Sequence, residues 1–153
     1  MQKKINIQNK KARFEFEILD KFVAGIQLTG TEIKSIRLSQ ARITESFCEF
    51  NDRGELFIVN MYIQEYMFGH HFNHKPKSER RLLMNKRELR SLKKDVEAKG
   101  NTIVPLKLFI NDRGFAKLEI ALAKGKQTHD KRNVIKDRDN KRDLDRIKKK
   151  FNT

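Results

Sequence analysis

The sequence has a single cysteine and no hydrophobic stretch long enough to span a membrane. With Cys48 alone, no disulfide can form within the chain, and this usage fits a reducing compartment. The first residues also lack the apolar run of a signal peptide. We therefore expect a cytoplasmic protein that does not insert into a membrane.

Motifs of catalysis are also missing. The chain has no phosphate-cradling glycine-rich loop, no nucleophile elbow and no zinc-protease helix. His70, His71 and His74 lie within five residues, but their spacing matches none of the common zinc patterns and no cysteine or acidic ligand lies nearby. A shared metal ion is the alternative to the plain loop that we favour. We predict a protein that is not an enzyme and that holds no cofactor or metal.

Positive charge is abundant, and it is concentrated at the two ends. The net charge is +15, and residues 1–13 carry five Lys/Arg and no acid. Residues 124–153 carry twelve Lys/Arg against five Asp. Such cationic segments attract phosphate by counterion release, which makes nucleic acid the leading partner class. A solubilising surface and an adaptor for anionic lipid or acidic protein are the alternatives.

The last thirty residues are too polar to build a core, so we separate them, as a basic tail of residues 124–153, from a domain of residues 1–123. Alone, the tail is predicted to be disordered, because it buries too little apolar surface to offset the entropy of ordering. Leu144, Ile147 and Phe151 would form a narrow docking stripe if the tail became helical on an anionic partner.

Alternating apolar residues predict strands in the domain. Residues 14–18 and 22–28 read as partnered strands, with Gly25 at a bulge or a close backbone approach. Residues 1–11 read as a flexible basic arm. Thr31 is predicted to cap a short helix that keeps Glu32 and Ser35 outside the core.

Two Asn-Asp-Arg-Gly sequences, at residues 51–54 and 111–114, each predict a hairpin turn. Between them, Asn85 is predicted to begin a helix that Gly100 ends. The pattern indicates a mainly β fold, an antiparallel barrel of about six strands with two or three flanking α-helices. An oligonucleotide-binding-fold-like barrel would remove the sheet edges economically at this size.

Cations on and beside the predicted strands would converge on one face if those strands share a barrel wall. Few aromatic residues accompany them, which argues against base-by-base stacking. Recognition of a folded RNA through its shape and phosphates is therefore favoured. A less specific RNA-binding or ribosome-associated protein remains the alternative.

Six stretches of the sequence are more specific than a fold requires: Asn9–Arg13, Gly30–Arg37, Asn73–Pro76, Arg80–Leu89, Val104–Leu108 and Ala123–Arg132. In order and spacing they resemble the bacterial SsrA-binding protein (small protein B) family. The resemblance implies an oligonucleotide-binding-type barrel that binds the tRNA-like domain of transfer-messenger RNA (tmRNA). It further implies ribosome rescue by trans-translation, in which incomplete peptides are tagged for degradation.

The same resemblance implies the partners and the site. Partners would be the stalled 70S ribosome, with 16S rRNA near the decoding centre and the message channel, and, through tmRNA, elongation factor Tu and alanyl-tRNA synthetase. The implied RNA-binding residues are Asn9, Lys10, Gly25, Lys34, Ser35, Leu83, Lys117, Lys124, Gly125 and Lys126. The implied decoding-centre segment is His129, Asp130, Lys131 and Arg132. Val23 stands where many members have Glu, so no polar role is transferred to that position.

Overall fold

The structure, a computed structural model, describes residues 4–125 and is mainly β. The elements of this part of the chain are, in order, β1 (Asn6–Gln8), α1 (Lys10–Glu15), β2 (Phe16–Ile26), α2 (Gly30–Arg37), β3 (Ala41–Arg42), β4 (Phe47–Phe50), β5 (Leu56–Val59), β6 (Tyr62–Ile63), a 3-10 turn (His70–Phe72), β7 (Arg80–Leu83), α3 (Lys86–Lys99), β8 (Thr102–Ile110) and β9 (Ala116–Gly125). None of the helices in residues 4–125 is long and apolar enough to cross a bilayer.

Seven of the strands form one antiparallel sheet in the order β1-β8-β4-β5-β7-β2-β9, and β3 pairs separately with β6. Strand β8 also pairs with β9, so the pairings from β8 through β4, β5, β7, β2 and β9 return to β8. The side chains enclosed by these strands are mostly Ile and Leu, including Leu56, Ile58, Leu118 and Ile120. The mainly β, antiparallel prediction is thereby confirmed.

Both predicted hairpin turns form. The side-chain oxygen of Asn51 accepts from the backbone N–H groups of Arg53 and Glu55, and Gly54 adopts a φ of 77°. The equivalent turn between β8 and β9 is built the same way, with Gly114 at a φ of 85°. Glycine adopts this left-handed backbone without the steric cost of a Cβ.

The predicted helix after β7 is α3, and its caps are those that the sequence indicates. Asn85 Oδ1 accepts from the N–H of Glu88 at 2.9 Å, and Gly100 ends the helix with a φ of 62°. Leu92 is fully buried, while Leu89 and Val96 pack against the core.

The N-terminal residues are ordered further than predicted. A flexible arm over residues 1–11 is wrong for the described part, because β1 pairs with β8 and Ile5 is buried. Residues 14–18 and 22–28 are not partnered strands either. They belong largely to the single strand β2, which has a register shift between Ile18 and Asp20 and pairs along its length with β9.

The start of α2 also differs from the prediction. Thr29, not Thr31, is the N-cap, and Glu32 completes a capping box with it. Glu32 and Ser35 are buried rather than exposed. For Glu32 the reason is Arg80 at the start of β7, whose guanidinium forms a buried ion pair with the Glu32 carboxylate.

Cys48 faces the core from β4 and is only 5% exposed. Burial raises the pKa of its thiol, because the thiolate loses solvation. We expect the native protein to react with a thiol-specific reagent at pH 8 at least ~100-fold more slowly than the unfolded chain. Absorbance with Ellman's reagent, with and without guanidinium, measures this; equal rates would contradict the buried position.

Candidate nucleic-acid interface

Three residues far apart in the sequence meet in one row across the outer face of the sheet. Gly25 on β2 pairs with Leu83 on β7 on one side and with Lys117 on β9 on the other. Directly opposed residues of antiparallel strands project from the same face. The strand register therefore assembles Leu83, Gly25 and Lys117 into a continuous surface.

At Gly25 no side chain covers the backbone of this row. A Cβ built on Gly25 would lie 3.3 Å from the Cβ of Leu83 and 3.7 Å from Nζ of Lys117. The Lys117 ammonium thus lies beside bare backbone, and a larger side chain would displace it. The predicted close approach at Gly25 is confirmed, whereas the register shift of β2 lies elsewhere.

The row extends onto two further strands. Lys117 is opposite Phe109 of β8, which is opposite Asn6 of β1. Nζ of Lys107 lies 5.2 Å from the centroid of the Phe109 ring, a cation–π distance. The surface therefore carries two lysines around a half-buried aromatic ring.

A second row runs parallel to the first. Val23 of β2 is opposite Glu119 of β9, which is opposite Lys107 of β8 and then Gln8 of β1. The Lys107 and Glu119 side chains are 3.8 Å apart, and Val23 is 56% exposed. Glu119 offsets the charge of Lys107. Lys117, the other lysine of these rows, has no carboxylate partner among the described residues.

Helix α1 bounds this face. Ala12 packs with Ala121 and Ala123, the residues that follow Lys117 and Glu119 on the outer side of β9. The helix therefore covers the outer face beyond the second row and leaves the two rows open. It places Lys10 and Lys11 at their margin, where a depression of about 590 Å³ is lined by both lysines together with Asn6, Gln8 and Thr44.

The two lysines of α1 have different surroundings. Lys11 donates to Glu45 at 3.0 Å and lies 3.8 Å from Glu15. The hydrogen bond to Glu45 raises the pKa of the Lys11 ammonium, as does the charge of both carboxylates. Lys10 is exposed and has no carboxylate partner within residues 4–125, so its charge is available to an anionic ligand.

Asn9, predicted to bind RNA, is buried, and its side chain is already engaged. Its Oδ1 accepts from the N–H of Ala12, while its Nδ2 donates to the carbonyl oxygens of Pro105 at 2.9 Å and Ile43 at 3.3 Å. In this structure it fixes the start of α1, which positions Lys10.

Helix α2 presents a second cationic surface. Lys34 is exposed, with Nζ 5.4 Å from the centroid of the Tyr66 ring. Ser35, the next residue of the helix, is fully buried, and its hydroxyl has no hydrogen-bond partner among the described residues. Of these two predicted RNA-binding residues, only Lys34 is accessible to a ligand.

Comparison with known proteins places the chain in a family. The SmpB protein family model matches residues 6–150. The chain belongs to the SmpB family. It is 67% identical to the SsrA-binding protein of Flavobacterium psychrophilum over 99% of this chain and 100% of that protein. It is 53% identical to the SsrA-binding protein of Brucella suis over 95% of this chain and 91% of that protein.

A solved structure described as "tmRNA-SmpB: a journey to the center of the bacterial ribosome" matches with a TM-score of 0.68. Its chain is 43% identical to this SmpB family member, and the match covers 86% of this chain and 94% of that one. The fold similarity therefore extends over most of both chains.

The remaining predicted site residues of this SmpB family member lie at or beyond the end of β9. Lys124 and Gly125 are exposed and opposite Glu17 and Phe16 of β2. The others lie outside the described residues: Lys126, His129, Asp130, Lys131, Arg132, Leu144, Ile147 and Phe151.

The three histidines of this family member in the loop before β7 have different surroundings. His74 is buried, with Nδ1 2.9 Å from the Thr31 hydroxyl and Nε2 3.0 Å from the Ile63 carbonyl oxygen. His70 and His71 are exposed in the 3-10 turn. Both ring nitrogens of His74 are thus engaged in holding the loop before β7 against α2.

Sequence reasoning missed the residues that complete the rows, Asn6, Gln8 and Glu119. The alternation of Lys117 and Glu119 within an apolar strand was the available signal for an outward-facing pair. The pairing of β1 with β8 had no comparable signal, because that strand has three residues.

Proposed function

We propose that this chain binds the tRNA-like domain of tmRNA through the outer face of β7, β2, β9, β8 and β1, and that it acts in trans-translation on stalled ribosomes. Membership of the SmpB family supports the RNA and the process. The observation that carries the proposed site is the row of Leu83, Gly25 and Lys117.

The chemistry of the face suits a folded RNA. Lys117 and Lys10 have no carboxylate partner in the part of the chain that the structure describes, and they offer their ammonium groups to phosphates. The bare backbone at Gly25 allows a ribose-phosphate chain to approach closely. Apolar Leu83 and Val23 flank them and would contact sugar faces rather than base edges. Such a surface reads the shape and backbone of RNA.

The circuit of strand pairings supports an oligonucleotide-binding-type barrel, which we propose as the fold of residues 1–123. We further propose a non-catalytic role in the cytoplasm. In this role the protein stands in for an anticodon arm, promotes charging of tmRNA by alanyl-tRNA synthetase, and enters the vacant site with elongation factor Tu. Residues 124–153 would become helical in the message channel, with His129 to Arg132 near 16S rRNA at the decoding centre.

The direct test is binding of the purified chain to the tRNA-like domain of tmRNA across a salt series, with ordinary tRNA and duplex DNA as competitors. We expect a preference for the tRNA-like domain that persists at physiological salt. Equal binding to all three that collapses as salt rises would show a generic polycation and would overturn the proposal.

Changes at Gly25 test the proposed face. Gly25→Val should displace the Lys117 ammonium and weaken binding to the tRNA-like domain about tenfold, with a smaller loss for Gly25→Ala. Lys117→Ala should lower the slope of log affinity against log salt by about one. Filter binding at several salt concentrations measures both effects.

Gly30→Ala and Lys94→Ala are the matched controls. Gly30 has no atom within 4 Å of an added Cβ, and Lys94 is exposed on α3. If these controls weaken binding as much as the variants at Gly25 and Lys117, the face is placed wrongly.

A further inference from the structure

Both tyrosines of the chain line one groove, and the chain has no tryptophan. Tyr62 lies on β6 and Tyr66 in the loop that follows it. The groove has a volume of about 530 Å³, and Met67 extends its apolar wall. Its polar lining includes Gln64, Glu65 and Asn73. Aromatic walls with amide and carboxylate edges offer both stacking and hydrogen bonds to one planar ligand.

Each tyrosine ring carries a cation on one face. Nζ of Lys34 lies 5.4 Å from the centroid of Tyr66, and Cζ of Arg42 lies 4.7 Å from the centroid of Tyr62. Both cations are exposed. Positive charge therefore lies at the groove where the phosphate of a bound nucleotide would be neutralised, which favours an anionic ligand over an apolar one.

The loop that forms the groove is held in place from within. Asn73 Oδ1 accepts from the N–H of Tyr66 at 3.0 Å, and Asn73 Nδ2 donates to the Tyr66 carbonyl oxygen at 2.7 Å. Gly69 allows this packing, since a Cβ there would lie 2.7 Å from Asn73 Nδ2. The backbone of Tyr66 is thus fixed before any ligand arrives, which lowers the entropy lost on binding.

The rim of the groove exposes large apolar side chains despite this ordered loop. Met67 is 72% exposed and Phe68 is 67% exposed. Phe68 packs edge-on against Tyr66, with the ring centroids 5.6 Å apart. Tyr62 and Tyr66 are half-buried. Such ordered, partly open aromatic rings beside cations are the arrangement on which unstacked bases stack in single-stranded RNA sites.

We propose that the groove between Tyr62 and Tyr66 binds an unpaired nucleobase of RNA, with Lys34 and Arg42 on its phosphates. The Gln64 amide and the Glu65 carboxylate would meet the hydrogen-bonding edge of the base. The inference rests on the proposed function, because it assigns the groove to an unpaired nucleotide of the same RNA. It adds a stacking site beside α2 to a protein whose sheet face reads shape and phosphates.

The two tyrosines provide a specific probe. Protein labelled with 3-fluorotyrosine should give two fluorine resonances, which Tyr62→Phe and Tyr66→Phe assign by removing one each. We expect single-stranded oligoadenylate and oligouridylate to shift both resonances, and a blunt RNA duplex to leave them in place. Unchanged resonances with the single strands, or equal shifts with the duplex, would overturn the inference.

Variants separate stacking from folding. Tyr62→Leu and Tyr66→Leu should each weaken binding to the single-stranded probes about tenfold, because the stacked ring is lost. Tyr→Phe at either position keeps the ring and should retain binding, and Phe115→Leu is an exposed control that does not line the groove. Arg42→Gln leaves both rings and should reduce the salt slope. Retained binding in the leucine variants would overturn the inference.

Binding to the tRNA-like domain distinguishes this inference from the proposed function. If the domain binds selectively yet leaves the fluorine resonances unmoved, the groove is assigned wrongly and the proposed function stands. If the domain shows no selectivity while single-stranded RNA shifts both resonances, the proposed function fails and the groove is supported.

Discussion

Replacing Arg80 with methionine should lower the free energy of unfolding by about 3–5 kcal/mol. The side chains of Arg80 and Glu32 are 2% and 5% exposed. Arg80→Met would leave the Glu32 carboxylate buried without its counter-charge. Removing one partner of a buried pair costs far more than the pair contributes, because the remaining charge stays desolvated.

The Arg80 guanidinium also donates hydrogen bonds to three backbone carbonyl oxygens. Its Nη1 donates to the Met61 carbonyl oxygen at 2.7 Å, and its Nη2 donates to the carbonyls of Lys75 and Pro76. Glu32 in turn accepts from the N–H of Thr29 at 2.9 Å. Loss of Arg80 therefore removes the side-chain donor to the buried Met61 carbonyl oxygen and detaches the start of α2 from β7. The carbonyl oxygens of Lys75 and Pro76 each keep a second donor, from Ser78 and Ile63.

The neighbouring residue provides a matched control. Arg81 pairs with Glu55 at 3.3 Å, but its side chain is 47% exposed. Arg81→Met should cost at most about 1 kcal/mol, since water already screens that pair. Urea unfolding followed by circular dichroism measures both variants, and equal costs would show that the buried pair is not a special source of stability.

A double-mutant cycle sharpens the test. Glu32→Gln combined with Arg80→Met should cost less than the sum of the single changes by about 0.5–3 kcal/mol, because the second substitution removes the charge that the first left unpaired. Strict additivity would mean that the two side chains stabilise the fold independently.

The Glu32–Arg80 pair also shows why the sequence could not predict every buried residue of the fold. The two residues are 48 positions apart, so nothing near α2 indicated that its apparently solvent-facing Glu32 is buried. Ile36 of the same helix is fully buried, as the local apolar period of α2 indicates without any distant partner. Burial that depends on a distant partner has no local signal.

Local chemistry was enough for the turns and α3, since the Asn-Asp-Arg-Gly sequences and the caps at Asn85 and Gly100 act within a few residues. It failed for β2, where exposed Leu19, Asp20 and Lys21 interrupt the alternation at the register shift. Pairing with β9 carries the strand through that interruption.

The candidate interface required both kinds of information. Resemblance to a family indicated Gly25, Leu83 and Lys117 separately, but only the pairing register shows that they are adjacent. The same register shows that Glu119 of β9 lies opposite Val23 of β2, so β9 supplies a carboxylate beside the apolar Val23.

Replacing Asp130, Lys131 and Arg132 with alanine should abolish peptide tagging on stalled ribosomes while leaving affinity for the tRNA-like domain nearly unchanged. The triple change removes two positive charges and one negative charge from a chain whose net charge is +15. The general electrostatic attraction for RNA is therefore nearly preserved. The expected loss of tagging rests on the proposed contact of this segment with the decoding centre.

The double variant Lys124→Ala with Lys126→Ala should instead impair RNA binding and leave the action on the ribosome intact. Lys124 is exposed at the end of β9, next to the strands of the proposed RNA face. Removing both cations should weaken binding to the tRNA-like domain and lower the salt slope by about two, because each lysine would neutralise one phosphate. Tagging should then fall only as far as the reduced occupancy of the RNA requires, and excess tmRNA should restore it.

The two sets of variants together separate RNA capture from action on the ribosome. Binding to the tRNA-like domain and tagging in a reconstituted translation system, measured on the same preparations, give the four values needed. A matching loss of both activities in the Asp130, Lys131 and Arg132 variant would show that the segment serves RNA binding. Tagging that excess tmRNA restores in the triple variant would lead to the same conclusion, since a defect at the decoding centre cannot be overcome by mass action on the RNA.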